Sequence, residues 1–337
     1  MSAPKRTQVR MRDVAAAAGV DASVVSRVIS GDERLSVRPE TRQRVLDTIA
    51  RLGYRPNAAA RMLKTARSMA IGMVVTDIAN AAYVEIARGA DARAAEHGYV
   101  LLLANGTIED RLPILHGRVD GLLYGIATSE TTLPTRPPAG MPSLLVNRRE
   151  PSLGTSVVVD DAAAAALATR HLIDLGHRRI AALIGPRTTD TSRRRAAGFT
   201  EAMNAAGIPV GPDYVVECGY DEATGYDAML ELLRRSPRPT GIVVTIARPA
   251  FGALAACDQH GVQVPDEISV VGFDDVPIAR YLHPPLTAVQ RPLQAMGRRA
   301  VDLLIQLMAG DEVHDTMLEE ASELVQRGST APPPSED

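Results

Sequence analysis

Through the first 68 residues apolar positions recur at helical spacing, whereas from Ala70 onward they gather into short continuous runs separated by helical stretches. Between Met11 and Gly31 two short helical patterns meet at Gly19-Val20, where glycine supplies the positive φ of a sharp turn and valine an apolar foot beneath it. Asp21 is placed to cap the second helix, after which Val25, Val28 and Ile29 share one face and Ala22, Ser23, Ser26 and Arg27 the other. Pro39 opens a third helix, in which Val45, Leu46, Ile49 and Leu52 are expected to close a small core and Gly53 to stop the chain's helical run. Arg55-Pro56 forces an extended step before the stretch from Asn57 to Leu63, a further short helix.

In the remainder, AIGMVV, YVLLLAN, DGLLYGI, SLLVN and SVVVD read as buried strands, with a helix from Ala82 to His97 between the first two. A second series follows: helix from Ala162 to Leu175, strand IAALIG, helix from Arg193 to Ala206, strand YVVEC, helix from Ala223 to Leu233, strand GIVVTI, helix from Ala250 to His260, strand ISVVGFD. Such alternation predicts parallel sheets covered by helices on both faces. LTAVQ and a helix from Leu293 to Met308 come after the second series and are expected to cross back to the first lobe. Ligands in sheets of this type sit beyond the carboxyl ends of the strands. The polar residues there are Thr76-Asp77, Asn105, Asn147-Arg148, Asp160-Asp161, Thr188 to Arg195 and Asp274-Asp275, a set suited to a polyhydroxyl or charged small molecule.

Charge sharpens the division. Residues 1–68 hold 14 Lys and Arg against 6 Asp and Glu, a local charge of +8, so the net charge of -3 leaves -11 on the rest. A basic head on an acidic body is the asymmetry expected when one end meets phosphates. An outward helix face of small side chains ending in a guanidinium suits the major groove, where Arg27 can reach guanine O6 and N7. No stretch approaches the twenty apolar residues of a membrane span, and the first residues lack the apolar run of a secretory signal, so the protein is expected to stay in the cytoplasm. Cys218 and Cys257, far apart in apolar contexts, read as buried free thiols, not a disulfide or metal framework.

The segments RDVAAAAGV, VSRVISG, ETRQRV and LGYRPNAAARML resemble the head and hinge of the lac repressor (LacI) family of bacterial transcription regulators. The body motifs IGMVVTDIAN, RVDGLLYG, HLIDLGHRRIA, VPDEISVVGFDD and PPLTAVQRP continue that resemblance to Ser329. It implies a DNA-reading second helix, carried here by Ala22, Ser23, Val24, Ser26 and Arg27. It also implies a hinge, with Asn57, Ala60 and Leu63, whose leucine wedges into a minor-groove step and bends the duplex. For the body it implies an effector domain similar to periplasmic sugar-binding proteins, with Arg195 and Asp274 gripping the ligand, Tyr83 covering it and Asp77 just before it at the mouth of the first strand; Asn147, Arg148 and Asp161 join the candidate set as strand-end polar residues facing the cleft. Partners so implied are double-stranded DNA with a near-palindromic operator, a small-molecule effector and a second copy of the chain as a homodimer.

Several positions depart from the family. Val24 stands where threonine is frequent and Asp21 where a serine cap is usual; valine can touch a thymine methyl but cannot bond a phosphate. Ile246-Ala247 replaces an Asn-Asp pair that bonds ligand hydroxyls, and Ala81-Ala82 replaces Pro-Phe. An ordinary sugar would then leave hydroxyls unpaired, at about 1 to 3 kcal/mol each. The expected effector is therefore unusual or less hydroxylated, or there is none. NGTIEDRLPILHG, broken by Pro113, is shorter than the family's helix at that place.

Enzyme signatures are missing: no Gly-x-Gly-x-x-Gly after the first strand, no Walker-type phosphate loop and no Gly-x-Ser-x-Gly elbow. His171 and His177 lie six apart without a carboxylate at ligand spacing, and they and the other five histidines read as structural. Neither a metal nor a cofactor is expected. STAPPPSED at the end reads as disordered, and no leucine heptads follow the last helix.

The expected architecture is α/β: a helix-turn-helix three-helix head (1–56), a hinge helix and linker (57–68), and a two-lobed, type I periplasmic-binding-protein-like parallel-sheet body. Its first lobe is expected at 69–160 with 289–318, its second at 161–288 with 319–329, and a disordered tail at 330–337. The expected function is a DNA-binding transcriptional regulator, a repressor, controlled by a small molecule. The alternatives are a small-molecule binding protein without a regulatory role, and an enzyme.

Overall fold

Gly19 adopts the left-handed φ of 61° that ends helix α1 (Met11–Ala18), and its amide donates to Ala16 O while Val20 N donates to Ala15 O. The chain turns there into α2 (Ala22–Ile29), and α3 (Pro39–Leu52) closes over both. Val14, Ala15, Ala18, Val25, Val28, Leu35, Val45 and Tyr54 form the head's core. Leu46 does not join them: it is 43% exposed, and Thr48 is buried instead. Positions 45, 48, 49 and 52 follow the 3.6-residue period, while 46 is turned about 100° from 45. The computed structural model describes residues 9–29, 32, 34–54, 67–125 and 140–335, so the expected hinge residues Asn57, Ala60 and Leu63 lie outside the described residues. The chain divides into Met1–Ser68 and Met69–Asp337.

The body holds two sheets of like topology. Strands β1 (Ala70–Val75), β2 (Val100–Asn105), β3 (Gly121–Tyr124), β4 (Ser143–Val146), β5 (Ser156–Val158) and β11 (Thr316–Met317) make the first, in the order β11-β5-β4-β3-β1-β2, all parallel. Strands β6 (Ile180–Ile184), β7 (Val215–Glu217), β8 (Gly241–Val244), β9 (Ser269–Phe273), β10 (Thr287–Gln290) and β12 (Glu323–Val325) make the second, in the order β12-β10-β9-β8-β6-β7. There only β12 runs antiparallel, against β10, among the described strands. In each sheet the first strand of the series has the second on one side and the third on the other. Strand order therefore reverses at β1/β3 and at β6/β8, the places where an open α/β sheet leaves a crevice beyond its carboxyl ends.

Helices α4 (Ala81–Glu96), α5 (Ile108–Leu115), α6 (Asp161–Asp174), α7 (Asp190–Ala205), α8 (Glu222–Leu233), α9 (Ala247–Gln259) and α10 (Leu293–Ala309) cover the sheets. Helices α4 and α10 pack so closely that a Cβ on Gly89 would strike the Gln294 carbonyl, and one on Gly297 the Ile86 carbonyl. Arg93 Nε donates to Asp302 Oδ1 at 2.6 Å across the same contact. Val100, Leu102 and Leu103 of edge strand β2 are exposed by 60%, 38% and 40%, so this strand is not covered on both faces as its apolar run predicts.

Two further sequence expectations need correction. LTAVQ does not cross back to the first lobe, because β10 completes the free edge of β9, Thr287 opposite Val271, with Thr287, Ala288 and Val289 buried. The crossing falls after Gln290: α10 returns to pack on α4, and β11 follows it to pair with β5. The tail expected at 330–337 is also held at its start. Ser329 is fully buried, its Oγ donating to Val270 O at 2.6 Å and accepting from Thr287 N at 2.8 Å. Ala331 O accepts from His177 Nε2 at 2.9 Å, and Thr330 Oγ1 lies 3.0 Å from His171 Nε2. Composition alone missed this because hydroxyls and backbone groups, not apolar side chains, make the attachment.

Candidate functional site

In the head, the Asp21 side chain accepts from Ser23 N at 2.7 Å, capping α2 as its sequence predicts; the Ser23 hydrogen bonds hold the carboxyl below its ordinary range. Val25 and Val28 point into the core, Ser23 and Arg27 are exposed, and Ala22, Val24 and Ser26 are half-buried. Ala22 and Val24 thus also pack against the head's core. The Arg27 guanidinium does not project freely: its Nε donates to Asp32 Oδ2 at 2.8 Å, and Asp32 Oδ1 accepts from Arg34 N at 2.9 Å. Asp32, absent from the sequence-based set, therefore fixes the direction of Arg27.

In the body, helix α7 starts at Asp190 and α9 at Ala247, each three residues before its predicted start. The earlier start of α7 puts Asp190 in its first turn and aligns Arg194 and Arg195 toward the strand ends. Arg195 Nε donates to Asp161 Oδ1 at 2.8 Å, its Nη1 donates to Thr245 O at 2.6 Å, and the guanidinium carbon lies 5.3 Å from the Phe273 ring centroid. Asp161 is fully buried, and Arg291, also fully buried, gives it Nη1 at 3.0 Å. Arg194 Nη1 sits 2.6 Å from Asp161 Oδ2 as an ion pair without hydrogen-bond alignment. Burial by itself would raise the Asp161 pKa, but Arg195, Arg291 and Arg194 outweigh it and hold the carboxyl at about 2.

Asp274, with the left-handed φ of 59° at the end of β9, accepts from Arg291 Nε at 2.8 Å and Nη2 at 2.9 Å. Three of the expected ligand residues, Asp161, Arg195 and Asp274, are thus brought into one buried network through Arg291, which the sequence reading did not single out. Its signal lay in the quoted PPLTAVQRP, where a guanidinium follows a buried strand directly.

On the first lobe, Tyr83 is buried and its hydroxyl donates to Gly125 O at the end of β3. Arg148, after β4, reaches Tyr220, after β7 on the second lobe, with Nη2 3.3 Å from the hydroxyl. Tyr220 joins the two arginine groups: burial favours its neutral form, yet the Arg148 charge, hydrogen bonding with Thr189 and Arg148, and the Arg195 charge bring its pKa down. Tyr220 also was missed from sequence. Asn147 is buried at a φ of 67°. Asp77 stands apart, half-exposed, accepting from Ala79 N at 2.8 Å and lying 3.6 Å from Arg248 Nη1. Ile246 caps α9 without a side-chain bond, and Ile246 and Ala247 are 6% and 4% exposed, giving the apolar wall that their identities predict.

Cys218 and Cys257 are buried free thiols, pushed up to about 12 by burial and so inert as nucleophiles. Among the described residues no group of three or more His, Cys, Asp or Glu side chains gathers as a metal site. No described helix is long and apolar enough to cross a membrane.

Residues 10–57 match the family described as bacterial regulatory proteins, lacI family, and residues 169–330 match the periplasmic binding protein-like domain. Catabolite control protein A of Priestia megaterium is 32% identical over 331 residues, covering 96% of this chain and 99% of that protein. The ribose operon repressor of Escherichia coli K12 is 34% identical over 332 residues, covering 95% and 99%. Among solved structures, the lac repressor dimer bound to operator and the anti-inducer ONPF superposes with a TM-score of 0.82 at 27% identity, covering 96% of this chain and all of that one. The transcriptional regulator CelR in complex with cellobiose gives 0.73 at 31% identity, with the same coverage.

Proposed function

The chain belongs to the lacI family of bacterial regulatory proteins, and from that premise we propose that it is a dimeric repressor acting in the cytoplasm, binding a near-palindromic operator and responding to a small molecule. The head supports the DNA step. A capped helix offers Ser23 and Arg27 to solvent on a unit whose charge is +8. Phosphate neutralisation by such a unit releases counterions, and base edges are then read by the outward face of α2, with Val24 able to contact a thymine methyl. Asn57, Ala60 and Leu63 form the hinge in this proposal, Leu63 wedging open a base step.

The body supports the sensing step. Asp161, Arg195 and Asp274 are buried together, Tyr83 and Arg148 approach from the other lobe, and closure of the lobes on a ligand changes the spacing of the two hinges in the dimer. A coupling of about 1 to 3 kcal/mol suffices to switch occupancy. The apolar wall at Ile246-Ala247 favours a ligand with fewer hydroxyls than a simple sugar. No chemical turnover is part of this function.

Fluorescence anisotropy with fragments of the source genome tests it. Affinity should be sequence-dependent and should fall steeply between about 50 and 200 mM salt. Salt-insensitive binding, or none to any fragment, rejects the proposal.

A further inference from the structure

Arg148 carries a charge that nothing around the cleft balances. Its side chain belongs to a residue only 5% exposed, Nη2 lies 3.3 Å from the Tyr220 hydroxyl, and Nε and Nη1 have no hydrogen-bond partner. The other buried guanidinium groups have carboxylates within reach: Arg195 has Asp161, and Arg291 has Asp161 and Asp274; of the partly buried ones, Arg194 has Asp190, while Arg149 keeps an unpartnered Nε and gives Asp190 only its backbone N–H. Arg194 and Asp190 cancel. The buried groups Arg148, Arg195 and Arg291 then face Asp161 and Asp274 alone, which leaves one positive charge, and the unpartnered donors place it on Arg148. Beside it the buried Asn147 Oδ1 is also without a partner.

A guanidinium does not shed its proton, so burial without a counter-charge is a standing cost to the folded protein. Tyr83 and Tyr220 can offer only phenol oxygens. Groups held at such a cost mark places where a ligand completes the pairing.

We propose that the effector is a small organic anion whose carboxylate or phosphate docks on the free donors of Arg148, with Asn147 Oδ1 accepting from a hydroxyl or amine of the same molecule. This rests on the cleft being the effector site, and it names the class of molecule that site takes. The anion supplies the missing charge; the Ile246 wall limits how many hydroxyls accompany it.

Thermal unfolding of the full-length protein and of Arg148→Met and Arg148→Gln, at constant ionic strength, tests this. The probes are ribose with ribose 5-phosphate, glucose with glucuronate, and inorganic phosphate and acetate alone. Without additive, Arg148→Met should unfold about 2–4 °C above the unsubstituted protein, since an unpaired buried charge is gone. A phosphorylated or carboxylated probe should raise the unfolding temperature of the unsubstituted protein more than its neutral counterpart does, and neither variant should respond. Whether the phosphate or the carboxylate arm moves identifies the anion. The proposal is overturned if both variants unfold below the unsubstituted protein without additive, if neutral and anionic members of a pair act alike, or if no anion produces a shift. Operator binding measured on the same samples is independent: its loss in the unsubstituted protein would sink the regulatory function, whereas its persistence beside a failed anion response would sink only this proposal.

Discussion

Arg291 clasps Asp274 with two hydrogen bonds, Nε to Oδ1 at 2.8 Å and Nη2 to Oδ2 at 2.9 Å, and turns its remaining nitrogen to Asp161 at 3.0 Å. The acid expected to grip a ligand is therefore already engaged from behind, and so is the acid that orients Arg195. Each carboxylate oxygen keeps a further lone pair, so Asp274 can accept a ligand donor without releasing Arg291. Binding then adds to a prebuilt frame instead of assembling one.

Removal of Arg291 should consequently damage the fold before it damages recognition. Arg291→Met leaves Asp161 and Asp274 with one cation fewer between two buried carboxylates, and such broken buried pairs cost about 3–5 kcal/mol. Urea unfolding should show the midpoint falling with little change in slope. A midpoint within error of the unsubstituted protein would mean that Arg195 and Arg194 alone satisfy Asp161.

Acid sensitivity should come from the carboxyl-terminal attachment. His177 is fully buried between Thr240 Oγ1 at 2.9 Å and Ala331 O at 2.9 Å. Burial, with the neighbouring His171 adding to it, lowers its pKa from an ordinary 6.5. Because the folded pKa lies below the unfolded one, the contribution is complete above the unfolded value and is lost as pH falls from about 6.5 toward the folded value. Unfolding temperature should drop between roughly pH 7 and pH 5.5. His177→Gln should flatten that limb, and an unaltered slope in the variant would assign the acid limb elsewhere.

The exposed apolar edge of β2 should be covered by a second copy. Val100, Leu102 and Leu103 lie on the outermost strand of the first sheet, Ile114 of α5 is itself 49% exposed, and an uncovered apolar sheet edge invites pairing with another chain. Leu102→Glu with Leu103→Glu should shift the sedimentation coefficient toward that of a monomer and weaken operator binding, because two half-sites are no longer engaged together. An unchanged dimer would move the interface off this edge.

What the sequence disclosed, and what it did not, follows from how each contact is made. Helices and strands were legible because burial on one face imposes a period, and Gly19, Gly53 and Asp21 announce turns and a cap through their own backbone and side-chain preferences. Leu46 misled because an apolar residue one position off the stripe still counts toward composition. LTAVQ misled because a buried strand looks the same whichever sheet it joins; only the free edge of β9 decides. At the cleft, Asp161, Arg195 and Asp274 came from strand ends and the family resemblance, but Arg291 and Tyr220 act through partners distant in sequence. The same holds for Asp32, whose pairing with Arg27 depends on how the chain turns after α2.

That pairing gives the last prediction. The Arg27 Nε is held by Asp32 at 2.8 Å, which aims the guanidinium before DNA arrives and spares part of the entropy of ordering it on a base. Arg27→Ala should relax base preference at one position per half-site, with binding to the preferred base falling roughly 10-fold or more and other sequences less affected. Asp32→Asn should blur the same position while leaving the guanidinium in place, so its sequence logo should lie between those of the unsubstituted protein and Arg27→Ala. Selection from a randomised operator library reads both. If Asp32→Asn returns the unsubstituted logo, the carboxylate does not aim Arg27; if Arg27→Ala also does, base reading belongs to Ser23, Val24 and the hinge.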